Sequence, residues 1–258
     1  MWRASRLDAD DIRRMRRVRE QHDLRPLAIH DCYLINLASA NPVVRERSIG
    51  AFRGELQRAR AIGAEYVVAH PGSYRGLSPE QGIERFARGL ARAARRFRPG
   101  GLMLLIEGTA GSGSTLGASF EELRALRDRA VELTDLPIGY CLDTCHLLAA
   151  GFDIASAAGL RRTLREADRV LGLDNVRLIH ANDSKAPRGS RVDRHANIGE
   201  GFIGRDGFRR ILAHPVLRRL PFILETPVEQ EDDDRRNLET LKQLCPLPSR
   251  PRRVRLVV

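Results

Sequence analysis

Apolar residues cluster in six short runs, at residues 26–29, 65–69, 101–106, 137–142, 176–179 and 221–224, interrupted by a charge only at Glu65 and Arg177. Between them lie longer stretches with apolar positions at helical spacing, over 7–22, 42–62, 79–97, 120–133, about 157–170 and about 233–244. Near-continuous apolar strands are buried on both faces, and their alternation with amphipathic helices predicts a parallel sheet wrapped by helices. Local punctuation agrees: Asn41 is a predicted N-cap with Pro42 at the first helical position, and Gly63 a predicted C-cap. In the first helix Asp8, Asp10 and Asp11 suit the N-terminal dipole, and Ile12, Met15 and Val18 form its apolar stripe.

Each apolar run ends on a potential metal ligand: His30, His70, Glu107, Asp143, His180 and Glu225. A buried strand that runs straight into a charged or imidazole group must find that group a partner. In a (β/α)8 barrel such positions share one rim, at the C-terminal strand ends. His146 follows Asp143 by three residues, and the polar loop after His180 carries Asp193 and His195 two residues apart, on one side of an extended segment. Five of the seven histidines are in this set. His22 and His214 lie on or beside helices and read as surface or packing residues. Nine candidates are too many for one zinc ion and suit two or three ions, which can clamp the oxygens of a phosphodiester.

At 258 residues the chain is long enough for one α/β barrel. Residues 1–245 are expected to form that single domain. Residues 246–258, with three prolines among four arginines, are expected to form a flexible basic tail. No apolar run reaches about 18 residues, so no membrane span is expected. No signal-peptide core is visible, and Cys32, Cys141, Cys145 and Cys245 form no Cys-x-x-Cys pair, which points to the reducing cytoplasm. The net charge is +11, and Lys185 and Lys242 are the only lysines. Arginine binds phosphate bidentately, so the excess suggests a nucleic-acid partner, although arginine-rich coding also contributes to it.

The segments Tyr33-Leu-Ile-Asn-Leu, His70-Pro-Gly-Ser, Leu142-Asp-Thr-Cys-His146, His180-x-Asn-Asp-Ser-Lys and Asp193-Arg-His195-x-x-Ile-Gly-Glu-Gly resemble endonuclease IV, a family of zinc-dependent apurinic/apyrimidinic-site endonucleases. The resemblance runs over essentially residues 2–245. It implies an α/β fold of (β/α)8 TIM-barrel type, three Zn2+ ions, and a monomer acting on duplex DNA that contains abasic sites. By residue-by-residue carry-over, His30, His70 and Glu107 would hold one ion. Glu107, Asp143, His180 and Glu225 would hold a second, and His146, Asp193 and His195 a third. The implied reaction is hydrolysis 5′ to the abasic site by a zinc-bound hydroxide that Glu225 and Glu107 position, leaving a 3′-hydroxyl and a 5′-deoxyribose phosphate. Tyr33 and Leu34 would wedge into the duplex, and Arg194 would reach a phosphate.

Two features depart from the family pattern. The two strands and helix that open the family barrel are not found, so about six strands are expected, and Met1 is expected to be an internal methionine of a longer protein. Gly108 stands where the family usually has Asn, which removes an expected hydrogen bond beside Glu107. Two alternatives follow from the same residues. One is a metal-dependent sugar isomerase or epimerase of the related barrel type, which would leave the third ligand set unused. The other is an inactive truncated chain that only binds DNA, without zinc and in a salt-sensitive way.

Overall fold

The structure, a computed structural model, describes residues 7–245. The expected internal start at Met1 and the basic tail at 246–258 lie outside the described residues. Along the chain run α1 (Ala9–His22), β1 (Ala28–His30), α2 (Pro42–Ile62), β2 (Tyr66–Ala69), α3 (Pro79–Ala94), β3 (Met103–Glu107), α4 (Phe120–Val131) and β4 (Ile138–Asp143). They are followed by α5 (Thr144–Ala150), α6 (Ala157–Leu171), β5 (Val176–His180), β6 (Asp183–Ser184), β7 (His195–Ala196), α7 (Gly204–Ala213), β8 (Phe222–Ile223) and α8 (Asp233–Leu244).

Six parallel strands form one curled sheet in the order β1-β2-β3-β4-β5-β8, with β1 and β8 at its edges among the described residues. One face packs on the helices through Val67, Leu104, Ile106, Tyr140, Leu142 and Ile179. The other, concave face carries a smaller apolar layer of Val68, Leu105, Cys141 and Leu178, flanked by half-buried Ala28, Tyr66, Met103 and Ile223. Burial on both faces explains why the strands read as near-continuous apolar runs. Helix ends follow local chemistry. The Asn41 side chain accepts from the Val43 and Val44 amides, and Gly63 closes α2 at φ 75°. Ser78 and Gln81 cap the start of α3 reciprocally.

The structure corrects several boundaries. The helix expected over 79–97 stops at Ala94, because Arg95 leaves helical geometry and Arg96 turns left-handed at φ 63°. The strand expected over 221–224 is only Phe222–Ile223. Helix α1 forms, but of its apolar stripe only Ile12 packs on the core, while Met15 and Val18 are exposed. Polar contacts tie α1 down instead. Arg19 donates to the Gly63 carbonyl at 2.6 Å and forks onto the Glu65 carboxylate at 2.7 and 2.9 Å.

Candidate metal centre

The concave layer sets the site by simple alternation. Side chains two residues apart on a strand share a face. The residues two beyond Ala28, Val68, Leu105, Cys141, Leu178 and Ile223 are His30, His70, Glu107, Asp143, His180 and Glu225. One apolar floor therefore carries a ring of imidazoles and carboxylates at its C-terminal edge.

Glu107 is the centre of that ring and is fully buried. His30 Nε2 lies 2.8 Å from its Oε2, His70 Nε2 3.1 Å from the same oxygen, and His180 Nδ1 2.8 Å from Oε1. Burial alone would raise the Glu107 pKa. The charge and hydrogen bond of His180, with the bonds from His30 and His70, outweigh it and hold the carboxyl well below its usual range. The reciprocal effect raises His30 to about 9 against the opposing cost of burial. Glu225 closes the ring, its Oε2 lying 3.1 Å from His180 Nδ1.

His146 and His195 extend the ring into an arc. Ring centroids along His180, His30, His70, His146 and His195 are 5.9, 5.1, 5.5 and 5.5 Å apart. Asp193 joins the last two, with Oδ2 3.2 Å from His146 Nε2 and Oδ1 3.4 Å from His195 Nε2. These residues sit off the main sheet. Asp143 ends β4 and its Oδ1 accepts the His146 amide at 2.8 Å, which starts α5 and points His146 into the site. His195 opens β7, paired antiparallel to β6.

Three histidines turn Nδ1 toward a backbone carbonyl: His30 to Asp31 at 3.0 Å, His146 to Gly108 at 2.9 Å and His195 to Glu225 at 2.8 Å. Each Nε2 then faces the cluster. The bond to Gly108 uses its backbone, so His146 is oriented without the side chain expected at that position.

Sequence reasoning missed two residues that hold the off-sheet part together. Buried Asn182 donates to Asp143 Oδ2 at 2.5 Å and accepts the Glu225 amide at 2.8 Å, linking two strand ends. Buried Asp183 accepts four backbone amides of the following loop, from Gly199, Gly201, Ile203 and Gly204, at 2.9 to 3.1 Å. A Cβ on Gly201 would lie 2.4 Å from the Ser184 carbonyl oxygen, so only glycine allows that approach. The signal in the sequence was the pair of small polar residues right after His180, in a segment read as a polar loop.

Two observations test whether a metal fits. The Nε2 atoms of His146 and His195 are buried and make no hydrogen bond, although Asp193 approaches both. Candidate ligand atoms also converge in compact groups: His30 with His70 and Glu107, then Glu107 with Asp143, His180 and Glu225. Asp143 joins His146 and His195 in one compact group, and Asp193 contacts each imidazole through a separate oxygen. Cys141 and Cys145 also lie close, and burial pushes both thiols up to about 12. The nitrogen and oxygen set is compatible with divalent metal binding.

Around this centre, Tyr33 is 89% exposed on the loop after β1, Leu34 is half-buried beside it, and Arg194 is exposed. A cavity of about 220 Å³ opens next to the cluster, lined by His30, Tyr33, Asn36, His70, Ser73 and Thr109 among others.

The xylose isomerase-like TIM barrel family matches residues 1–244. A protein of Solibacter usitatus described as a probable endonuclease 4 is 64% identical over 254 residues, covering 97% of this chain and 88% of its own length. A probable endonuclease 4 of Chloroflexus aurantiacus is 41% identical, covering 94% and 85%. Endonuclease IV from Thermus thermophilus superposes with a TM-score of 0.80 at 39% identity, over 95% of this chain and 84% of that one.

Proposed function

The chain belongs to the endonuclease IV family of xylose isomerase-like TIM barrels, and on that premise we propose that it is a zinc-dependent DNA-repair endonuclease. It hydrolyses the phosphodiester 5′ to an abasic site in duplex DNA, leaving a 3′-hydroxyl and a 5′-deoxyribose phosphate. The observation that carries this reading is the buried Glu107 contacted by His30, His70 and His180 within 3.1 Å, with the Asp193-bridged pair His146 and His195 beside it. His30, His70 and Glu107 would hold one ion. Asp143, His180 and Glu225, with Glu107, would hold a second, and His146, Asp193 and His195 a third. Bound zinc supplies Lewis-acid stabilisation of phosphate charge and a lowered pKa for water.

The remaining work falls to side chains. Burial raises the Glu225 pKa, but the His180 hydrogen bond outweighs it and keeps the carboxyl below its usual range. Glu225 is therefore ionised near neutral pH and, with Glu107, orients the attacking water. An abasic nucleotide has no base stacking to lose, so it leaves the duplex at lower cost than an intact one. The exposed Tyr33 ring and Leu34 fill the vacated space, and Arg194 contacts a phosphate. The cavity of about 220 Å³ is below the usual ~300 Å³ of a drug-sized ligand pocket and suits a sugar-phosphate without its base. A two-metal sugar isomerase would leave His146, Asp193 and His195 without a use. No helix of the described residues is long and apolar enough to cross a membrane, and the enzyme is read as a cytoplasmic monomer.

Nicking of a duplex with one abasic site tests this. The expected product is a 3′-hydroxyl end on the 5′ side, lost on chelation and restored by zinc. Chelator-resistant cleavage, or cleavage 3′ to the lesion, would contradict it.

A further inference from the structure

At the opposite end of the barrel lies a second concentration of charge. Helices α2 and α3 run back from the rim and end at Ile62 and Ala94, just before β2 and β3 begin. The cavity they form with α1 is about 550 Å³ and is lined by Arg16, Arg53, Arg60, Arg95, Arg96 and Arg98, with no carboxylate among its lining residues. It lies at the N-terminal strand ends, about 15 Å from the rim for a strand of five residues at ~3.3 Å each.

Two of these arginines already have structural work. Arg16 donates to the Ala61 carbonyl at 2.6 Å, and Arg53 donates to the carbonyls of Ala93 and Arg92 at 3.2 and 2.6 Å, neutralising helix C-termini. The side chains of Arg60, Arg95, Arg96 and Arg98 are exposed and make no hydrogen bond or ion pair among the described residues. Nearby arginines do pair, Arg58 with Glu55 and Arg92 with Glu46. Exposed Arg17, Arg47 and Arg75 are unpaired too, and what sets these four apart is that they share one cavity that no carboxylate lines. Gathering them around a concave surface costs repulsion that an anion relieves.

We propose that this face is a second, non-catalytic site for the phosphodiester backbone of duplex DNA, so that one chain holds a second DNA segment away from the metal rim. Guanidinium forks match phosphate oxygens bidentately. An acidic protein partner is disfavoured because the cavity offers little apolar anchorage. Ala61, Ala93 and Phe97 are its only apolar lining residues, and Ala93 is buried and Phe97 half-buried. The charge and shape of this face carry the phosphate site, and the identification of its occupant as duplex DNA rests on the function proposed for the rim.

The test uses the full chain with Arg60, Arg95, Arg96 and Arg98 all changed to Glu, and a second variant with all four changed to Ala. Affinity for a short undamaged duplex, followed by fluorescence anisotropy across salt concentrations, is expected to fall at least tenfold in both. The slope of log affinity on log salt should become shallower by up to about 0.9 for every phosphate that is no longer neutralised. The rate of nicking a saturating short abasic duplex should stay unchanged. Unchanged affinity for undamaged duplex in both variants would overturn the proposal. So would displacement of the duplex by polyglutamate at equal charge, which would make this face a site for acidic protein.

Discussion

His30, His70, Glu107, Asp143 and His180 stand at the ends of strands or one residue past them, whereas His146 rides on a seven-residue helix and Asp193 and His195 on a loop and a two-residue strand. The strand-borne group is positioned by the sheet itself. Each member lies two residues above an apolar side chain of the concave layer, and the register of hydrogen-bonded neighbours sets their spacing. The loop-borne group has no such lattice. It depends on the Asp143 cap of α5, the Asn182 bridge and the amides gathered by Asp183. The same kind of ligand is thus held on one side by apolar packing and on the other by a polar network, and the two sides should fail differently.

The largest effect is expected at the centre of the strand-borne group. Glu107→Gln removes a buried carboxylate that three imidazoles contact, and breaking such a buried charge pair costs about 3–5 kcal/mol in the metal-free chain. Activity should drop by more than about 100-fold, beyond the range for residues one contact further from a metal. Nicking rates and thermal melting in chelator check both parts. Asp193→Asn comes next. Asp193 is half exposed and lies on a loop, so melting of the metal-free chain should move little while nicking falls on the order of 100-fold. A large loss of stability in Asp193→Asn would erase the distinction between the two sides.

Asn182→Ala probes the network that carries the loop-borne side. It leaves every candidate ligand in place but frees Asp143 Oδ2 and the Glu225 amide. Activity or metal affinity should fall about 10–100-fold, read by competition with a zinc chelator. The smallest effect is expected for Gly108→Asn. A Cβ there would meet Leu123 Cδ1 at 3.5 Å, an ordinary contact, and the Gly108 carbonyl already orients His146. Its nicking rate should stay within about twofold of the parent, and a tenfold gain would show that the backbone bond is not a sufficient substitute for a side chain.

The same contrast explains what could be read from the sequence. The strand-borne candidates were legible because a buried parallel strand appears as an apolar run, and each run here stops at a polar ligand type. Helices α2, α4, α6 and α8 were visible from periodicity and caps such as Asn41 with Pro42. Helix α5 was not, because seven residues, Thr144–Ala150, give too few turns for a period and are nearly all buried. Helix α7 begins at Gly204 and contains Gly207, which hid it among loop residues. Strands β6 and β7 are two residues each, and their position depends on Asp183, whose partners lie up to 21 residues away. Long-range polar contacts of that kind leave no local pattern. The arginine cavity was equally hidden, since Arg16, Arg60 and Arg98 are brought together only by the packing of three helices.

The most direct measurement is the zinc content of the purified chain beside that of Asp193→Asn and Glu107→Gln, by elemental analysis after dialysis against zinc-containing buffer. The expected result is three ions in the parent, about two in Asp193→Asn with an unchanged melting temperature in chelator, and one or none in Glu107→Gln. Equal zinc content in the parent and Asp193→Asn, or full occupancy retained in Glu107→Gln, would contradict the division of the rim into a packed half and a networked half.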